Sequence, residues 1–210
     1  MKSSRLLLPV LLLLIGLCVA GTSFAAGGPL GIDDRAAYDD SGIWARSNQQ
    51  ALMYGLLAGE VGLALWDGSE TRLGKTAWQS IDTTAVAGVS ALVMKKAFSR
   101  VRPHETADPN QWFKGGGNES FPSGEVTLTS SVVTPFILEY GPDHPAVYAL
   151  ELLPVYDAIA RVKTWGHWQT DVLAGLALGS GVGYLMHERE MPLTLSVLPH
   201  GFAVGLSKRW

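Results

Sequence analysis

The chain has 210 residues, a formal net charge of −3 and a 47% share of hydrophobic residues. That length suits one domain of ordinary size, and an acidic balance argues against nucleic acid as a partner, which calls for a basic surface. The only cysteine, Cys18, lies in an N-terminal apolar run, so the rest of the chain has no disulfide framework, thiol nucleophile or thiolate metal site.

Lys2 and Arg5 precede the apolar run from Leu6 to Ala20, and the small residues Gly21 to Ala26 follow. This order reads as a Sec-type signal peptide over residues 1–25, implying export to the periplasm or beyond. The run is short against the roughly 20 residues that span a bilayer, which disfavours an uncleaved anchor. Without the leader, 185 residues with a formal charge of −5 remain.

The expected fold is all-α: a bundle of about five to six helices over residues 26–190, with a small β-hairpin at 191–210. The first helix starts near Ile43, is spaced by Gly55, Gly59 and Gly62, and stops at Asp67-Gly68-Ser69; its small residues predict close packing. Further helices are expected from about Asp82 to Phe98, Gly124 to Tyr140, Pro145 to Val162 and about Trp168 to Glu188. Their apolar faces indicate a buried bundle. Glu60, Asp82, Glu139, Glu151 and Asp157 interrupt the apolar runs, which argues against membrane spans but leaves association with a membrane surface open. The segment from His104 to Phe121, with Pro109 and Gly115-Gly116-Gly117, reads as a long loop, and loops of that length tend to be functional. After Pro192 the pattern alternates through Leu193, Leu195 and Val197, turns at Pro199-His200-Gly201 and resumes at Phe202, Val204 and Leu206, the signature of a hairpin covering an open side of the bundle.

Three groups of residues point to anion chemistry. Lys95 and Arg102 are seven residues apart and share a face if the second helix runs on to Pro103. Ser123 and Gly124 open the third helix, where free N–H groups and the positive end of the dipole make an anion seat; Ser123 is also a candidate helix cap. Arg161, His167 and Asp171 follow, and the i, i+4 spacing of His167 and Asp171 lets the carboxylate fix the imidazole tautomer and free the other nitrogen as a nucleophile.

In order, Lys-x6-Arg-Pro, Pro-Ser-Gly-x and Arg-x5-His-x3-Asp closely resemble the signature motifs of the type 2 phosphatidic acid phosphatase superfamily, which includes bacterial class A acid phosphatases and vanadium haloperoxidases. The resemblance covers Lys95 to Asp171. It implies a helical bundle and a two-step displacement without metal or other cofactor, in which His167 takes the phosphoryl group and water hydrolyses the phosphohistidine. Lys95, Arg102, Arg161, Ser123 and the Gly124 amide would hold the phosphoryl oxygens. The implied substrate is a phosphorylated small molecule or lipid, a monoester or a diphosphate.

The sequence departs from the pattern at Ala160, where serine is common, and at Glu125, where the motif usually has the histidine that protonates the leaving oxygen. Glu125 can serve as that acid if burial keeps it protonated, whereas the cations of the site oppose this. The substitution favours good leaving groups. His104 is a further candidate acid. Two other classes stay in view: a phosphate-binding protein that has lost its acid, and a vanadate-dependent haloperoxidase, for which the chain is short.

Overall fold

The computed structural model describes residues 27–189, and strand backbone over 193–198 and 201–206. The leader assigned to residues 1–25 lies outside the described residues. Five α-helices make the body: α1 (Arg46–Asp67), α2 (Arg72–Phe98), α3 (Gly124–Tyr140), α4 (Leu152–Lys163) and α5 (Gln169–Arg189), with 3-10 turns at Gly42–Trp44 and Pro145–Glu151. None of the described helices is long and apolar enough to cross a membrane.

α3 is the buried centre, flanked most closely by α5 and α2. Val126 of α3, Ala158 of α4 and Val172 and Leu176 of α5 form one apolar cluster. The tight seam of the bundle lies between α3 and α5. A Cβ at Gly175 would sit 2.8 Å from the Ser123 carbonyl oxygen, at Gly179 2.4 Å from the Thr127 oxygen, and at Gly183 2.7 Å from Thr134. Glycines four residues apart form one stripe of α5, so the α3 backbone can lie directly against it. The close packing expected of α1 is therefore found on α5: Gly55, Gly59 and Gly62 of α1 are exposed and face open space.

α2 begins ten residues before the expected start at Asp82. The Thr71 hydroxyl caps it by accepting from the Gly74 N–H at 3.0 Å, and the polar residues of its first turns are satisfied internally. Thr76 Oγ1 donates to the Arg72 carbonyl, and Ser80 Oγ bonds both Glu60 and the Val132 carbonyl. It ends at Phe98, as expected, and does not run on to Pro103. Ser99 adopts a left-handed conformation (φ 39°), its N–H donating to Lys95 O at 2.9 Å, and the chain leaves the helix there. Lys95 is thus helical while Arg102 sits on the following loop, so they do not share a helix face.

Pro145, expected to open an α-helix, instead opens the 3-10 turn that leads into α4. Strands β1 (Leu193–Leu198) and β2 (Gly201–Leu206) have antiparallel backbone register. Support for the fold class rests on the helices alone; the role of a hairpin cover has none.

Candidate functional site

The site forms where the C-terminal end of α2, the loop to Phe121, the start of α3 and the α4–α5 junction meet. Lys95 is buried, and its Nζ donates to the carbonyls of Glu119 (2.6 Å) and Pro122 (2.7 Å), which ties α2 to the residues just before α3. Arg102 reaches the same place from the loop, donating from Nη2 to Glu119 O (3.3 Å) and from Nη1 to Gly166 O (3.2 Å). Gly124 leaves room for Lys95, whose Cε would lie 3.2 Å from a Cβ there.

Ser123 is the N-cap residue of α3 by position, yet its side chain makes no cap bond. Its buried Oγ has no hydrogen-bond partner, so the expected double role as cap and ligand reduces to a hydroxyl held free. The Ser123 N–H donates to Asp171 O at 2.9 Å, joining the anion seat to α5.

The α4–α5 junction folds tightly around Arg161. Its carbonyl accepts from Gly166 N (3.0 Å) and His167 N (3.2 Å), and its guanidinium lies so close to Gly166 that a Cβ there would be 2.2 Å from Nη2. Arg161 is buried and its Nε has no partner. An unpartnered donor in a buried guanidinium is costly unless an anion takes it.

His167 is buried, and its Nδ1 lies 2.7 Å from the Ser120 carbonyl oxygen. A carbonyl only accepts, so the proton belongs on Nδ1 and Nε2 keeps a lone pair. Burial, then the charges of Arg161, Lys95 and Arg102, push the imidazole well below its ordinary range and keep it neutral. The orienting bond therefore comes from Ser120 rather than directly from Asp171, which stands 3.8 Å away. The oxygens of Asp171 are occupied: Arg100 Nη1 (2.5 Å), Ser120 Oγ and the Trp168 N–H (2.9 Å) donate to them. Burial raises the Asp171 carboxyl against the pull of Arg100 and these hydrogen bonds. Burial, with Arg102 next, also lowers Lys95 to about 8.

Glu125 is in the opposite state to the one a proton donor needs. Arg46 of α1 forks onto both of its oxygens. Burial alone would raise the carboxyl, but the Arg46 hydrogen bond and the charges of Arg161, Arg46 and Arg102 outweigh it and hold Glu125 below the usual range. Lys95 and Arg102 donate their hydrogen bonds elsewhere. His104 is exposed, with Nδ1 3.3 Å from the Trp165 carbonyl oxygen.

Five contributors escaped the sequence reading. Arg100, fully buried, bridges Asp171 to Asp33, and Asp33 also takes the Thr170 N–H at 2.8 Å. Ser120 orients His167, while Arg46 and Gln49 reach the site from α1. A cation two residues before Arg102 was the available signal for Arg100; no local pattern marks Arg46, 79 residues from Glu125. Among the described residues, no group of His, Cys, Asp and Glu side chains gathers as a metal site.

Comparisons with known proteins bear on the family of the chain. The chain is 36% identical over 93 residues to a lipid A 1-phosphatase of Porphyromonas gingivalis, covering 43% of this chain and 18% of that protein. Proteins of the same name from Rhizobium johnstonii and Rhizobium etli are each 31% identical, over 47% and 46% of this chain and 41% and 43% of their own lengths. The chain thus spans less than half the length of these relatives. No solved structure matches it significantly. Residues 76–191, more than half of the chain and all of the Lys95 to Asp171 constellation, match the model of the PAP2 superfamily, and the chain belongs to that family.

Proposed function

We propose that the protein is a hydrolase of phosphoric esters that transfers the phosphoryl group to His167 and then to water. The observation that carries this reading is a neutral imidazole, its proton committed to Ser120, beneath the charges of Lys95, Arg102 and Arg161. In the first step Nε2 bonds to phosphorus as the bond to the leaving oxygen breaks. In the second, the oxygen of water bonds to phosphorus as the P–N bond breaks, one water proton passes to solvent, and neutral His167 returns. Lys95, Arg102, Arg161, Ser123 Oγ and the Gly124 N–H stabilise the equatorial oxygens, a contribution that is mainly electrostatic. These side-chain cations supply the charge that a metal provides elsewhere.

Asp171, braced by Arg100, fixes Ser120 and the start of α5, and through them His167. With Glu125 ionised in the resting structure, the leaving group departs without its proton, which favours diphosphates and other weakly basic leaving groups. The names of the relatives make a lipid phosphate the first natural substrate to test. Export through the leader and contact with a membrane surface belong to the same proposal. Trp66, 90% exposed, with Leu65, Val89, Leu92 and Val93, gives α1 and α2 exposed apolar side chains that support it.

The ionised Glu125 also favours the alternative of a phosphate-binding protein without turnover. The purified protein with p-nitrophenyl phosphate and with lipid phosphates, in chelator and with or without vanadate, decides. Turnover that survives chelator and is blocked by vanadate supports the hydrolase; vanadate binding without turnover on any substrate selects the binding protein.

A further inference from the structure

We propose that α1, outside the family-matched segment, completes the phosphoryl site: Gln49 positions Arg161, and Arg46 neutralises Glu125 so that its carboxylate does not compete for the cations. This inference rests on the reading of Lys95, Arg102 and Arg161 as a phosphoryl site.

Gln49 is fully buried in the first turn of α1. Its Nε2 donates to the Trp44 carbonyl at 2.8 Å, which fixes the orientation of the amide. Its Oε1 then accepts from two guanidinium groups at once, Arg46 Nη1 at 3.1 Å and Arg161 Nη1 at 3.2 Å. Arg161 is thereby held by one end while its Nε stays unpartnered. A neutral acceptor suits this place, because it holds the guanidinium without cancelling the charge that an anion will meet.

Glu125 presents the opposite problem. It stands at the start of α3, where the charges acting on it are Arg46 from α1, Arg161 from α4 and Arg102 from the loop, and its own charge acts on the buried Asp157 of α4. A carboxylate there without its own partner draws Arg161 and Arg102 away from a phosphoryl group and repels that group. Arg46 occupies both carboxylate oxygens in fork geometry and leaves the other two arginines available. The pair is partly exposed, with side-chain exposures of 34% and 17%, a setting in which an ion pair adds little to fold stability.

Vanadate titration of the full chain tests this, alongside p-nitrophenyl phosphate turnover and thermal midpoints. Gln49→Met, which keeps the shape and removes the acceptor, is expected to weaken vanadate binding about tenfold, the scale of one charge-assisted hydrogen bond. Gln49→Glu, which keeps an acceptor but adds a charge that cancels that of Arg161, is expected to weaken binding as well. Arg46→Met is expected to weaken binding at pH 8, with the deficit shrinking as the pH falls and Glu125 takes a proton. Adding Glu125→Gln to Arg46→Met is expected to restore vanadate affinity, which a merely structural role for Arg46 does not predict.

The proposal is overturned if Gln49→Met and Arg46→Met bind vanadate like the parent, or if the Arg46→Met/Glu125→Gln double variant stays as weak as Arg46→Met. If Gln49→Met does not fold, the Arg46 series decides. A parent that binds vanadate without turning over substrate sinks the hydrolase reading alone, and the binding series still judges this inference. A parent that binds no vanadate overturns both.

Discussion

Gly166→Ala tests the site through a single added carbon. A Cβ on Gly166 would lie 2.2 Å from Arg161 Nη2, 2.5 Å from Cζ and 3.0 Å from Nε. Restoring ordinary contact, at about 3.5 Å between heavy atoms, moves the guanidinium by roughly 1 Å. Arg161 is a long side chain and can yield, so the fold should survive with a small change in thermal midpoint. The chemistry should not, because a displacement of about 1 Å at a positioning group costs on the order of 100-fold, or about 3 kcal/mol of transition-state stabilisation. Arg102 compounds the effect, since it donates to the Gly166 carbonyl and shares that peptide with Arg161. The assay is kcat/KM on p-nitrophenyl phosphate together with vanadate affinity, for Gly166→Ala, Arg161→Ala and the double variant. Both quantities should fall in Gly166→Ala, and the double variant should lose little beyond Arg161→Ala, because both changes remove the same interaction. Parent-like kinetics in a folded Gly166→Ala protein would refute the assignment of Arg161 to the phosphoryl group.

His167→Ala should abolish turnover and leave the fold intact, and quenched reactions without acid should show phosphohistidine only in the parent; residual activity near the parent level rules out the nucleophile. Arg102→Lys should recover only part of what Arg102→Ala loses, about 2–4 kcal/mol by analogy with other oxyanion donors, because the fork that spans Glu119 O and Gly166 O is lost; full recovery of kcat/KM argues against that geometry. Burial pushes the Asp157 carboxyl up to about 7, so the folded state keeps a proton that the unfolded chain releases near pH 4. Its contribution to stability is complete below that ordinary value and is lost as pH rises toward about 7. Asp157→Asn should therefore gain on the parent in unfolding free energy across pH 4 to 7, by a few kcal/mol at most, and level off above; a pH-independent difference contradicts this.

The parts of the molecule that were legible in the sequence are those set by local rules. α3 runs from Gly124 to Tyr140 as expected, because Pro122-Ser123 leads into it and Gly141 follows it. The motifs located His167, Lys95 and both arginines because each lies at a short, fixed spacing from its neighbours. The early turns of α2 were missed because Thr76 and Ser80 look unhelical, whereas the folded chain satisfies their hydroxyls with the Arg72 carbonyl, Glu60 and the Val132 carbonyl. That α2 stops at Phe98 and does not run on to Pro103 was not settled by the sequence, because a left-handed serine has no clear sequence mark. Pairings between distant segments were invisible for the same reason: Arg100 meets Asp33 67 residues away, and nothing local says that Glu125 is already partnered. Weighing Glu125 against the cations of the motifs, without Arg46, left it a candidate acid.

The state of Glu125 can be decided by a series of phosphate esters whose leaving groups differ in basicity. An enzyme with a proton donor shows rates that depend weakly on leaving-group pKa, and one without a donor shows a steep dependence. With Arg46 holding the carboxylate ionised, the parent should show the steep dependence. Glu125→Gln keeps the shape and removes only a charge that Arg46 already balances, so the slope should not change. Glu125→His introduces a group that can carry a proton at this position, and it should raise the rates of the most basic leaving groups while leaving p-nitrophenyl phosphate nearly unaffected, since nitrophenolate departs without protonation. The outcome that defeats this reasoning is a shallow slope in the parent that becomes steep in Glu125→Gln, because only a protonated Glu125 explains it. In that case the Arg46 bridge must open when substrate binds, and the incoming phosphoryl group, by taking Arg161 and Arg102 for itself, would be the agent that removes two of the charges keeping the carboxyl ionised.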